Sequence, residues 1–139
     1  KYINFVKLKK VRQVFFKATR PRIDIMPIPD EFELILKKTK KIADRDGVEI
    51  FFVYLPDYYR YSNFFDEDYY DKETTLNNYM KIKEIVKKLK INFIDIHLEL
   101  FSKEIDPQKY YPFRKYKHYT PEGYKRVTKV ILKNLGYYE

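Results

Sequence analysis

Residues 48–55 read Val-Glu-Ile-Phe-Phe-Val-Tyr-Leu, a nearly unbroken run of apolar, β-branched and aromatic side chains stopped by Pro56. A strand with one wet face alternates apolar and polar residues. This run does not alternate, so it predicts a strand buried on both faces, as in parallel sheets that carry helices on either side. That single feature narrows the chain to the α/β class. Its 139 residues amount to about one domain, long enough for one core.

The flanking segments agree with this class. A helix is predicted from Pro29 or Asp30 to about Arg45, carrying Phe32, Ile35, Leu36 and Ile42, with Gly47 as its stop. After the strand, residues 57–72 are dense in Tyr, Asp and Phe and have no clear period. Loops this long are lids or binding loops, or surface loops that pack their own aromatics. A second helix is predicted over residues 73–88, with an apolar stripe of Leu76, Tyr79, Met80, Ile82, Ile85, Val86 and Leu89 in which Met80 reads as core filler. Residues 92–96, Asn-Phe-Ile-Asp-Ile, form a shorter strand. Strand, helix and strand in this order make a βαβ unit, so the expected fold is three-layer α/β/α with a parallel sheet. Upstream, residues 2–16 read as an irregular amphipathic helix, and residues 19–29, with Pro21, Pro27 and Pro29, as an extended connector. The expected organisation is one domain over residues 1–139, with the N-terminal helix and connector in 1–29 and the βαβ-containing core in 30–139.

Composition excludes several classes. Without cysteine there is neither a disulfide framework nor a thiolate metal site. The only histidines, His97 and His118, lack helical i, i+4 spacing, so no metal and no cofactor is expected. No stretch approaches the roughly 20 apolar residues of a membrane span, and no charged start followed by an apolar core marks a signal peptide. The net charge of +9 and the many Tyr and Phe rings would suit nucleic acid. However, Lys37, Lys38 and Lys41, and Lys83, Lys87 and Lys90, fall at the spacing of solvated helix faces. With no helix-turn-helix, zinc finger or Arg/Gly-rich segment, nucleic-acid binding is the least favoured reading.

The stretch most informative about chemistry is residues 116–123, Tyr-Lys-His-Tyr-Thr-Pro-Glu-Gly. Thr120 suits an N-cap, Pro121 the first helical position and Glu122 the positive end of the helix dipole. Tyr124, Val127, Ile131 and Leu135 then recur at helical spacing, and Gly136 supplies the stop. His118 is therefore expected in a short loop held by a packed helix, although a histidine before a helix is commonly just a surface or capping residue. In parallel sheets ligands bind beyond the carboxyl ends of the strands, here Leu55-Pro56-Asp57 and Asp95-Ile96-His97. Asp95 reads either as a site residue or, preferably, as a carboxylate capping the turn into residues 98–101. His97 is expected to point into that turn and is assigned no role.

Residues 92–96, a short helix, a Tyr-Tyr-Pro-Phe loop and then His118-Tyr-Thr-Pro-Glu-Gly-Tyr resemble the C-terminal end of an SGNH (GDSL-type) hydrolase. That family's last motif is a histidine before a helix with glycine five residues on, matched by His118 and Gly123. Residues 53–56 are similar to the end of its fourth strand and 91–96 to its fifth. The resemblance implies a doubly wound, flavodoxin-like sheet and ester chemistry, with a serine nucleophile, His118 as general base and an oxyanion hole from Gly and Asn donors. The family's acid three residues before the histidine is replaced by Lys115. No Gly-Asp-Ser or Gly-x-Asn-Asp occurs, and Ser62 and Ser102 lie in other contexts. Only the C-terminal half of the family's fold is matched.

The expected function is thus the C-terminal part of an SGNH-type serine esterase or O-acyltransferase acting on an acyl ester, including esters of carbohydrates. The nucleophile would lie outside this chain, and the chain alone is expected to be inactive. Asp57, Tyr58, Tyr59 and Tyr119 are the expected substrate-binding residues. The alternative is a non-catalytic α/β binding or interaction module derived from the same fold. Two strands make too little sheet to bury residues 48–55, so the missing N-terminal half of the fold or another protomer is expected to cover their edge.

Overall fold

Side chains that bond the backbone mark the starts of the two later long helices, at Asp71 and Thr120. A computed structural model of the chain describes residues 25–61, 71–114 and 118–137. Helix α1 (Glu31–Arg45) has Glu31 and Glu33 in its first turn and ends where Gly47 takes φ +67. The backbone N–H of Val48 then returns to the Ala43 carbonyl at 2.8 Å. Strand β1 (Phe51–Tyr54) follows, and a 3-10 turn over Tyr58–Tyr61 leaves it. Helix α2 (Lys72–Lys88) starts at Asp71, whose carboxylate accepts the Thr74 N–H at 2.9 Å and the Thr74 hydroxyl at 2.6 Å. Strand β2 (Asn92–Asp95) leads directly into the single turn α3 (Ile96–Glu99). Three 3-10 turns, Phe101–Lys103, Pro107–Tyr110 and Pro112–Arg114, then lead to α4 (Pro121–Asn134). Thr120 caps α4 as expected, its hydroxyl accepting the Gly123 N–H at 3.1 Å.

Among the described residues the fold is mixed α/β, mostly helical, around a two-stranded parallel sheet. The register pairs Phe51 with Asn92, Phe52 with Phe93, Val53 with Ile94 and Tyr54 with Asp95. On one face Phe52 stacks on Phe93 at 5.8 Å between centroids and meets Phe32 of α1 edge-on at 6.2 Å. On the other, Phe51, Val53 and Ile94 join a core built from Tyr58, Ile96, Leu100, Phe101, Tyr110, Tyr111, Tyr119 and Val127. The connector end, Ile25 to Pro29, is irregular and tied to α2. Asn78 accepts the Ile28 N–H and donates to the Met26 carbonyl, both at 2.9 Å.

Two expectations need correction. The strand over residues 48–55 is not buried on both faces: pairing covers only Phe51–Tyr54, these four are half-buried, and Val48 and Leu55 are exposed. A two-stranded sheet is only about 5 Å wide between strands, so one β1 edge lacks a shielding neighbour among the described residues. The apolar stripe of α2 is also only partly used. Tyr79, Ile85 and Val86 are buried, whereas Met80, read as core filler, is 56% exposed. A helix over so narrow a sheet finds backing for part of its stripe alone. The same holds for α1, where Ala43 is buried and Leu34, Ile35 and Ile42 are exposed. The expected helix over residues 2–16 and most of the loop over 57–72 lie outside the described residues.

Gly123 sets how closely α4 seats on the preceding turn. A Cβ there would lie 2.8 Å from the Tyr110 carbonyl oxygen and 3.1 Å from Tyr110 Cβ. That carbonyl already accepts the Thr120 N–H at 2.8 Å, so the backbone has little room to yield. Gly123→Ala is therefore expected to destabilise the fold by about 1–3 kcal/mol through overpacking, outweighing the gain of about 1 kcal/mol from helix propensity. Urea unfolding of the two proteins measures the difference, and an alanine variant as stable as the parent would show that α4 does not seat this tightly.

Candidate functional site

The carboxyl ends of β1 and β2 are where a parallel sheet presents backbone to a ligand. Here they are occupied by two side-chain groups, one on each side of the sheet.

The first is centred on the carbonyl of Pro56, just beyond β1. It accepts the Tyr119 hydroxyl at 2.7 Å and the Tyr111 hydroxyl at 2.9 Å, all three residues being buried. Tyr119 packs on Phe101 and Tyr111 at 5.3 and 5.2 Å, and Tyr58 meets Tyr111 edge-on at 5.5 Å. Both Tyr58 and Tyr119 are thus core residues, with the Tyr119 hydroxyl engaged. Asp57 is half-buried and caps its own turn, accepting the Tyr59 N–H at 3.1 Å while its carbonyl accepts the Arg60 N–H at 3.2 Å. Tyr59 packs against the same core. His118, one residue before Tyr119, is exposed, and no hydrogen bond or ion pair joins it to a described residue. The structure therefore brings 57–59 and 119 together around the β1 exit. It places His118 on the loop that Tyr119 anchors there. Lys115 lies outside the described residues. Ser102 is exposed on a 3-10 turn, its hydroxyl donating to the Leu98 carbonyl at 3.1 Å.

The second group was not assigned from sequence. Asp95, only 6% exposed, accepts the Leu98 N–H at 3.1 Å, which is the expected cap. Its other oxygen accepts the Tyr79 hydroxyl at 2.5 Å and lies 3.6 Å from Lys83 Nζ. Lys83, expected on a solvated face, is instead half-buried, because its stem runs beside Tyr79 and its ammonium stands 3.5 Å from the Tyr79 hydroxyl. Arg60 places its guanidinium 4.7 Å from the centre of the Tyr79 ring and 3.4 Å from the Tyr54 hydroxyl. Burial, and then the bond to Asp95, push the Tyr79 phenol well above the ordinary range. His97 does not turn into its own helical turn: Nδ1 lies 2.8 Å from the Tyr61 hydroxyl, and Gln108 Nε2 holds the Tyr61 carbonyl at 2.7 Å. Burial, reinforced by Arg60, lowers the His97 pKa, so the imidazole is neutral near pH 7. Two spacings in the sequence signal this group: Tyr79 and Lys83 at i, i+4 on one helix, and Asp95 and His97 two apart at a strand end.

Among the described residues no cluster of three or more His, Asp or Glu is placed to hold a metal ion, and no helix is long and apolar enough to cross a membrane.

Two predictions follow from these groups. Pro56 keeps one phenol partner when either tyrosine is truncated, so Tyr111→Phe and Tyr119→Phe are each expected to cost about 1 kcal/mol. The double variant leaves a buried carbonyl unsatisfied and is expected to cost about 1–3 kcal/mol beyond their sum. Strict additivity in a double-mutant cycle would show that the two bonds do not share an acceptor. His97 binds a proton less readily folded than unfolded. Stability is therefore full above the unfolded value of about 6.5 and falls as pH drops below it, levelling once the lowered folded pKa is passed. His97→Asn is expected to flatten that slope in denaturant midpoints; an unchanged slope would place the proton uptake elsewhere.

Compared with known proteins, the chain matches no family model, no curated protein and no solved structure.

Proposed function

We propose that the chain is the C-terminal part of an SGNH-type serine esterase or O-acyltransferase, with His118 as general base and the nucleophilic serine contributed from outside residues 1–139. The observation that carries this reading is the setting of His118. Its imidazole is exposed and unbonded among the described residues, yet the residues that follow it are firmly held. Tyr119 ties the loop to the exit of β1, and the Thr120 cap with Gly123 seated on Tyr110 fixes α4 behind it. Gly123 is also the glycine of the family motif, and its close approach gives that motif a physical reason. On this reading α1 and α2 form one outer layer and α4 the other, with further strands on the open edge of β1.

An imidazole titrates near neutrality and can both take and return a proton. His118 removes the serine proton as the oxygen attacks the ester carbonyl, and the imidazolium then protonates the departing alcohol. Water or an acceptor hydroxyl, deprotonated in turn by His118, attacks the acyl-serine and releases the acid or the new ester. Lys115 cannot accept an imidazole N–H, so the pair works as a Ser–His dyad oriented by the anchored loop. Asp57, Tyr58, Tyr59 and Tyr119 form the wall of the acyl site, Tyr58 and Tyr119 from within the core. A non-catalytic binding module is the second reading, favoured by the Asp95–Tyr79–Lys83 group, whose bonds are made without any serine.

A chromogenic acetyl ester distinguishes the two. The protein comprising this chain together with its serine-bearing segment is expected to hydrolyse it, and His118→Ala to lower kcat by about 10⁴-fold or more. A near-normal rate in the alanine variant would remove His118 from the chemistry, and no hydrolysis by the intact protein would favour the binding module.

A further inference from the structure

The second side-chain group contains a guanidinium, that of Arg60, which forms no ion pair with a described residue. Asp95 is fully engaged, accepting the Leu98 N–H, the Tyr79 hydroxyl and the Lys83 ammonium. Asp57, the nearest acid in sequence to Arg60, accepts the Tyr59 N–H, and no carboxylate among the described residues lies within ion-pairing distance of Arg60. The Arg60 guanidinium has five N–H donors. One of them makes a long contact of 3.4 Å to the Tyr54 hydroxyl, while the guanidinium carbon lies over the Tyr79 ring, 4.7 Å from its centre. A cation–π contact holds a guanidinium over a ring without using its N–H donors. Lys83 stands 5.6 Å from the same ring centre with a side chain 41% exposed, so the group is open to solvent. Arg60, Lys83 and Asp95 lie together at the carboxyl ends of both strands, where parallel sheets bind ligands.

We propose that Arg60 and Lys83 form an anion-binding site for a small molecule bearing a carboxylate or phosphate, with Arg60 giving two parallel hydrogen bonds and Lys83 the second charge. Tyr79 is the platform beside both cations, and Asp95 holds Tyr79 by accepting a hydrogen bond from its hydroxyl. The shared chemistry is a planar or tetrahedral oxyanion, and both kinds offer the paired oxygens that a guanidinium fork matches. The site needs no serine and does not depend on the ester reading.

The test follows the Arg60 Nε–H and the Tyr79 ring by NMR in the full chain during separate titrations with inorganic phosphate and acetate, chloride holding the ionic strength constant. Saturable shifts at both residues are expected. Phosphate alone, acetate alone or both reaching saturation identifies the oxyanion preferred, and each supports the site. Lys83→Gln is expected to weaken binding about tenfold and Arg60→Gln to abolish it, whereas His118→Ala leaves it unchanged. Arg60→Lys keeps the charge but loses the fork, and is expected to bind more weakly than the parent even if the glutamine variant fails to fold. Shifts that drift linearly with both anions in the parent protein would overturn the proposal, as would saturation that survives in Arg60→Gln.

Discussion

The structure turns on one backbone carbonyl. Pro56 follows the strand with the most apolar sequence, and its oxygen, buried at the point where the chain must leave the sheet, has no strand partner to satisfy it. An unpaired carbonyl there would cost about 1–3 kcal/mol. Two phenols converge on it instead, one from the 3-10 region at Tyr111 and one from the loop before α4 at Tyr119. A tyrosine suits this task because its ring adds to the core while its hydroxyl reaches across the packed layer. The same bonds that satisfy Pro56 therefore join three distant segments, and they decide where the loop bearing His118 sits. Phe101 fills the space between these rings, stacking with Tyr61 and tilted against Tyr111 and Tyr119.

How much of this is legible in the sequence depends on how local its cause is. The start of α4 is set by Thr120, Pro121 and Gly123 acting within one turn, and the end of α1 by Gly47, so both are read correctly from the residues alone. The cap made by Asp95 is equally local. The extent and burial of β1 are not, because they depend on how many strands lie beside it, and a run of apolar residues carries no record of its neighbours. Met80 is misread for the same reason: its place in an apolar stripe is a property of α2, whereas its exposure is a property of the narrow sheet underneath. Lys83 and His97 fail differently. Each takes its role from a partner on another element, Asp95 for Lys83 and Tyr61 for His97, and spacing along one element cannot reveal a partner across two.

The strand ends hold two chemistries separated by the sheet. In the parallel register Tyr54 lies beside Asp95 and their side chains leave the sheet on the α2 side, as the ring contact between Tyr54 and Tyr79 at 4.7 Å requires. Phe51, Val53 and Ile94 leave on the side of the Tyr111–Tyr119 core. Alternation along two short strands thus sends Tyr54 and Asp95 one way, with Phe52 and Phe93, and Phe51, Val53 and Ile94 the other. The placement of Asp95 beside Tyr79 and of Ile94 in the aromatic core are consequences of one period-two pattern, read at its carboxyl end.

This division also accounts for the uneven burial of the helices. On the aromatic side Ile96, Phe101 and Tyr111 are completely or almost completely buried, and the core there closes on itself. On the other side α1 meets the sheet through Phe32, and much of its apolar face, Leu34, Ile35 and Ile42, stays in water beside Val48. Apolar area left exposed forgoes about 25 cal/mol per Å², so a surface of this kind is stable on a sheet only when another element shares it. Among the described residues β1 has a strand neighbour on one edge only, which leaves backbone donors and acceptors of the other edge without a ladder partner there. Both deficits, apolar and hydrogen-bonding, lie toward the flank where a strand with its own covering helix would fit, and a single such addition would answer both.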